Sequence, residues 1–257
     1  MRQEDRLGLI LEQLNQHSSV GVASLAEQLG VSEASVRRDL HLLEKQKLLT
    51  RTHGGAVASG VLYELPMRYR GGQHHEAKRA IAKAAGTLIP DEVTSVGLNG
   101  GTTTTEVARA LAAQRPRLRV VTNALNIASE LAVRSNIELV VCGGSARQES
   151  YELVGPLAEQ TLADINIEVA VIGVDGVSPT AGFTTHHEVE AHTNRALVTA
   201  AERVIVVADS SKIGKRGFAK ICDLAAASDI ITDSAADPAD LAELERRGPT
   251  VHVVPAG

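Results

Sequence analysis

Residues 23–45 read ASLAEQLGVSEASVRRDLHLLEK, and the spacing within this stretch decides how the N-terminal part of the chain folds. Ala26 is small where two helices must approach closely. Gly30 follows four residues later, where a turn between helices wants a positive φ. Val36 comes six further on and faces back into a small core. Ser32 is placed to N-cap a third helix from about Glu33 to Lys45, with Val36, Leu40 and Leu43 as its buried stripe. Upstream, Leu7, Ile10, Leu11 and Leu14 recur at helical spacing before a break at Ser18-Ser19. Downstream, Leu48 and Leu49 lead into TRTHGGAVASG, which reads as strand, glycine turn and strand. The spacing fits a helix-turn-helix with a wing; three helices of an unrelated bundle remain the alternative.

The polar face of the third helix assigns a task to this head. Ser32, Glu33, Ala34, Ser35, Arg37 and Arg38 occupy the first two turns, the part that enters a major groove. An arginine there can pair with guanine O6 and N7, worth about 1–3 kcal/mol of base discrimination. Ser32 and Ser35 suit phosphate contacts through hydroxyls and the helix N-terminus. Arg51 and His53 on the wing are placed for backbone or minor groove. Two adjacent arginines also suit a merely solvated face. Asp39 is expected to orient an arginine or stabilise the helix, since a carboxylate near phosphates is unfavourable.

Composition bounds the function without deciding it. The 257 residues are 44% hydrophobic and 22% charged, ordinary for a folded chain. Aromatics are only 2%, which argues against stacking platforms for single strands or RNA. Net charge is −5; residues 1–72 hold 9 basic against 8 acidic side chains, the remainder 17 against 23. Any DNA contact must therefore come from local arginine placement. Cys142 and Cys222 lie far apart in no metal or redox spacing, as in a reducing compartment. No apolar run is long enough to span a bilayer, and the start MRQEDRLG lacks a signal-peptide core. A cytoplasmic protein with no membrane partner is expected.

From Glu76 the pattern changes. Strand candidates at 93–98, 118–122, 137–142, 169–174, 203–208, 230–232 and 251–254 alternate with helical stretches at 76–88, 103–113, 124–134, 156–163, 187–201 and 238–247. This predicts an α/β domain built on a mostly parallel sheet with helices on both faces. The division expected is a head at 1–57, a linker at 58–75 and a sensor at 76–257. Ligands of such sheets sit beyond the C-terminal strand ends. Five of these ends carry small or polar clusters: Asn99 with Gly100, Gly101, Thr102, Thr103 and Thr104; Thr122 with Asn123; Gly143 with Gly144; Asp175 with Gly176; and Asp209-Ser210-Ser211-Lys212. Gly101 to Thr104 opens a helix whose N-terminus attracts anions, so a phosphate suits it. It is neither GxxxxGK[ST] nor GxGxxG, and alone it reads as a helix cap; Lys212 on a neighbouring strand end tips the reading to a ligand site.

The run VSEASVRRDLHLLEKQKLLTRTHGGA resembles the N-terminal signature of the DeoR family of bacterial transcription regulators, with Ser35 where Thr is common. LNGGTTTTEVARAL, VVTNALNIASEL, VVCGGSARQESYELVGPLAEQTL, IGVDGV and VADSSKIG resemble the motifs of that family's C-terminal domain, so the likeness covers nearly the whole chain. It implies a winged helix-turn-helix joined to a Rossmann-like domain related to ribose-5-phosphate isomerase and glucosamine-6-phosphate deaminase. It further implies double-stranded operator DNA, a phosphorylated sugar effector and a homo-oligomer, dimer or tetramer, as partners. Asn99 departs from the family's common Asp, and HHEVEAHTNRALVTAAE matches less closely.

The resulting expectation is a ligand-released repressor with no catalytic residues, no metal and no cofactor. The alternatives are a sugar-phosphate isomerase or deaminase with a helical appendage, which lacks a general base at Asn99, and a protein–protein adaptor. His186, His187, Glu188, Glu190 and His192 lack HExxH spacing and read as a polar helix start at the pocket mouth.

Overall fold

The computed structural model describes residues 3–58, 66–70 and 72–256, without the side chains of residues 15 and 16. The chain divides into two compact units, Met1–Gln73 and His74–Gly257.

In the first unit, α1 (Gln3–His17), β1 (Ser19–Gly21), α2 (Val22–Leu29) and α3 (Glu33–Lys45) precede a hairpin of β2 (Leu49–Thr52) and β3 (Gly55–Ala58). The stripe of Leu7, Ile10, Leu11 and Leu14 meets Leu25, Val36, Leu40 and Leu43 in one core. Gly30 ends α2 at φ 64°, so its N–H and that of Val31 return to carbonyls of α2. Ser32 caps α3, its hydroxyl accepting from Ser35 N at 3.3 Å. The antiparallel hairpin forms the wing, and β1 adds a third strand in the order β1-β3-β2. Three residues after a serine break carry no periodicity, which is why β1 was not expected. Residues 59–65 and 71 of the expected linker lie outside the described residues. Residues 67–69 form a 3-10 turn, and Tyr69 is buried in the head's own core, within the compact unit that ends at Gln73.

The second unit contains α4 (His75–Leu88), β4 (Ser95–Leu98), α5 (Thr102–Gln114), β5 (Leu118–Thr122), α6 (Leu125–Leu131), β6 (Ile137–Val141), β7 (Ser145–Ala146), β8 (Leu153–Val154), α7 (Pro156–Ala163) and β9 (Ile167–Gly173). It continues with β10 (Gly176–Ser178), β11 (Gly182–Thr185), α8 (Glu188–Thr199), β12 (Ala201–Val207), β13 (Ala219–Cys222), β14 (Asp229–Asp233), α9 (Pro238–Glu245) and β15 (Thr250–Val254). Seven of these strands, each at an expected position, form one wholly parallel sheet ordered β15-β14-β12-β9-β4-β5-β6.

Alternation along the strands feeds two cores. Val169 and Val171 of β9, with Ile205 and Val207 of β12, face α4, α5 and α6. Ala170, Ile172, Val204 and Val206 face the side that carries Ala158 and Leu162 of α7, Leu197 of α8 and Leu244 of α9. The chain runs outward from β4 to β6, then returns to β9 on the other side of β4. The strand order thus reverses between β4 and β9, the position above whose carboxyl ends ligands of such sheets bind. Two small additions were not foreseen: the β7–β8 hairpin and the antiparallel sheet β10-β11-β13. Both are built from two- to four-residue strands, and β11 is buried along its whole length, so no alternation marks it.

Candidate functional site

On the head, α3 presents Glu33, Ala34, Arg37 and Arg38 to solvent, with Ser35 partly exposed. The Arg37 guanidinium donates to Glu33 Oε2 at 2.6 Å one turn earlier, and Arg38 donates to Ser35 Oγ at 3.2 Å. Ser32 and Ser35 hydroxyls are 3.0 Å apart. On the wing, Arg51 and His53 are exposed, and Arg51 N donates to Glu44 Oε1 at 3.2 Å. Asp39 does orient an arginine, but one from another helix: it is 1% exposed and accepts from Arg6 Nη2 at 3.0 Å and Gln3 Nε2 at 3.1 Å. The Asp39 hydrogen bond raises the Arg6 pKa. Asp39 therefore fastens α3 to α1 and takes no part in the outer face that carries Arg37 and Arg38.

In the second unit the switch point is tied by a side chain. Asn99, just past β4, donates through Nδ2 to Gly173 O at 2.9 Å and accepts through Oδ1 from Gly173 N at 2.8 Å. Both polar atoms of this buried amide are thus engaged with β9, and Asn99 ties the end of β4 to the end of β9. A carboxylate there could accept from Gly173 N yet could not donate to Gly173 O, which accounts for an amide at this position.

Gly101 follows at φ 138° and α5 begins at Thr102. The hydroxyls of Thr104 and Thr105 donate back to Gly101 O at 3.1 and 2.7 Å, so the threonines close the turn. What α5 offers an anion is its first backbone amides. Thr103 and Thr104 are buried and Thr102 is partly exposed. Lys212, in a 3-10 turn after β12, has Nζ 3.8 Å from Asp175 Oδ1. Asp175 also accepts from Thr185 Oγ1 at 3.0 Å.

The other strand-end candidates have contacts of their own. Asn123 is buried, with Nδ2 donating to Leu153 O at 3.2 Å. Gly143 is exposed and Gly144, at φ 138°, turns against Val154 of the β7–β8 hairpin. Gly176 begins β10, where an added Cβ would meet Thr184 Oγ1 at 2.6 Å and Lys215 O at 2.7 Å, a packing role.

The structure adds Glu152 and Lys78, which sequence reasoning did not assign to the site, and gives partners to Glu190 and Asp209. Glu152, 1% exposed, accepts from Gly100 N at 2.6 Å. Glu190 accepts from Thr185 Oγ1 at 3.0 Å and from Arg147 Nη1 at 3.0 Å. Burial, the nearby Glu190 and Asp175 carboxylates, and the opposing pull of the Gly100 N–H and Asn123 amide together leave the Glu152 carboxyl well above its ordinary range. Lys78 of α4 has Nζ 3.8 Å from Asp209 Oδ2, both buried. Burial alone would raise Asp209, but Lys78, the Ser211 hydroxyl, Lys212 and His74 hold it below the usual carboxylate range. Glu152 sat within a quoted run, and only its polarity inside YELVG marked it. His187 caps α8 through Nδ1, as a polar helix start requires. Among the described residues no cluster of three His, Cys, Asp or Glu side chains has metal-holding geometry, and no helix is long and apolar enough to cross a membrane.

Comparison with known proteins adds to this geometry. Residues 6–59 match the DeoR-like helix-turn-helix domain, and residues 73–234 match the DeoR C terminal sensor domain. The chain is 36% identical over 249 residues to the HTH-type transcriptional regulator GlpR of Haloferax volcanii, covering 96% of each chain. It is 34% identical over 250 residues to the HTH-type transcriptional repressor GlcR of Bacillus subtilis, covering 96% of this chain and 95% of that one. The glycerol-3-phosphate regulon repressor of Escherichia coli is 29% identical over 234 residues, covering 91% of this chain and 92% of the other. A solved ribose 5-phosphate isomerase A from Neisseria gonorrhoeae superposes on 55% of this chain and 54% of its own, with a TM-score of 0.39 and 17% identity, too low to bear on function. These relatives are transcription regulators, which leaves the enzyme alternative without support. The chain belongs to the DeoR family of DNA-binding transcription regulators.

Proposed function

We propose that this protein is a cytoplasmic repressor that binds operator DNA as a homo-oligomer and leaves it when a phosphorylated sugar or similar metabolite occupies the switch point between β4 and β9. Arg37 and Arg38 read base edges, while Ser32, Ser35, Arg51 and His53 fix the register on the backbone. Paired heads meet half-sites about 34 Å apart or a multiple of that.

The observation that carries the effector reading is that the α5 N-terminus follows β4 and Lys212 follows β12, on either side of β9, with Lys212 Nζ 3.8 Å from Asp175 Oδ1 just past β9. A relative named for glycerol 3-phosphate supports a phosphorylated effector. Control requires the ligand to bind the DNA-competent and released states with different affinity. Gel shift on the protein's own upstream DNA, repeated with a panel of phosphorylated sugars, tests the reading. Release by one of them, lost in Lys212→Ala, is expected; DNA binding indifferent to every phosphorylated compound would overturn it.

A further inference from the structure

Glu152 and Gly100 are a matched pair. Gly100 N donates to Glu152 Oε1 at 2.6 Å, and a Cβ on Gly100 would lie 2.4 Å from Glu152 Cγ. The carboxyl therefore packs directly beneath the turn that opens α5, and only glycine above it leaves the space. Its backbone is anchored independently: Leu153 N donates to Asn123 O at 2.7 Å, and Asn123 Nδ2 returns to Leu153 O. The second oxygen, Glu152 Oε2, is buried without a hydrogen-bond partner, as is Asn123 Oδ1. The charged groups around it are Glu190 of α8, held by Arg147 from the β7–β8 connection, and Asp175 after β9, held by Lys212. Those two acids each have a cation. Glu152 has none within ion-pair distance among the described residues.

We propose that Glu152 is the positioning residue of the effector site: it holds the Gly100 amide from below so that the first amides of α5 stay turned to a phosphate, and its own charge grades the affinity. The proposal rests on the effector reading above and adds a residue and a control to it. An ionised Glu152 beneath the turn repels an incoming phosphate, whereas the neutral acid does not. Burial and the two neighbouring carboxylates favour the neutral form. Phosphate binding thus draws a proton onto Glu152, and affinity falls as Glu152 ionises.

The test measures binding of inorganic phosphate by calorimetry to full-length wild type, Glu152→Ala and Glu152→Gln, between about pH 6 and pH 9. Glutamine keeps the oxygen that accepts from Gly100 and removes the charge. Glu152→Ala is expected to bind phosphate at least about tenfold more weakly while still shifting operator DNA. Glu152→Gln is expected within about threefold of wild type at low pH, with the comparison moving in its favour as pH rises. Where Glu152→Ala does not fold, that pH divergence decides. Phosphate binding by Glu152→Ala equal to wild type overturns the proposal, as does a Glu152→Gln variant whose pH profile parallels wild type. Failure of wild type itself to bind phosphate is a different result, and it removes the effector reading together with the proposal.

Discussion

Asn99 and Gly173 close the sheet's switch point through two hydrogen bonds, at 2.9 and 2.8 Å, made by one carboxamide on a neighbouring strand's backbone. Only a group with a donor and an acceptor on one planar head satisfies both the N–H and the C=O of that residue. Asn99→Asp is expected to lose about 1–3 kcal/mol, because a carboxylate faces Gly173 O with no proton to offer. Urea unfolding at neutral pH measures it, and a midpoint equal to wild type contradicts the clamp.

The head has a comparable tie in Arg6 and Asp39. Arg6→Ala leaves Asp39 buried without its cation, and removing one partner of such a pair costs about 3–5 kcal/mol. That is enough to unfold a small unit while the sensor stays folded. Operator binding should vanish although Arg6 lies on α1 and not on α3, and amide exchange should show residues 3–58 unprotected. Intact protection there would mean the ion pair is dispensable.

Arg38→Ala should behave in the opposite way. The side chain is exposed and donates to Ser35, so the melting temperature should hold within the range of an ordinary surface change. Discrimination between operator and random DNA should fall by about 1–3 kcal/mol. Selectivity unchanged at constant salt would assign Arg38 to the solvated face instead.

Glu152 predicts a pH dependence of stability as well as of binding. Its folded pKa is raised, so its contribution is complete below the unfolded value and is lost as pH rises through the folded value. Relative to wild type, Glu152→Gln should gain stability as the solution is made alkaline. Unfolding curves collected at acid and alkaline pH that stay offset by the same amount would show that Glu152 does not titrate there.

The recognition helix was legible because local chemistry decides it. Ser32 caps whatever helix follows, Gly30 takes the left-handed turn, and Val36, Leu40 and Leu43 share a face at helical spacing. The seven parallel strands were legible for the same reason, since runs such as VAVIGV are buried on both faces. The position of the Asn99–Thr104 cluster at a strand end was legible, but its internal contacts were not: the Thr104 and Thr105 hydroxyls turn back to Gly101 O.

By itself, then, the sequence determined the winged head, the parallel sheet and the small and polar clusters at its carboxyl edge, all properties of spacing and periodicity over short windows. The tertiary structure alone decided that Asp39 serves Arg6, that Asn99 clamps Gly173 and that Glu152 lies beneath Gly100. Those partners are 33, 74 and 52 residues apart. No local pattern encodes such a pairing; only the packed sheet and its crossovers bring the groups within hydrogen-bond distance, where burial makes each charge count.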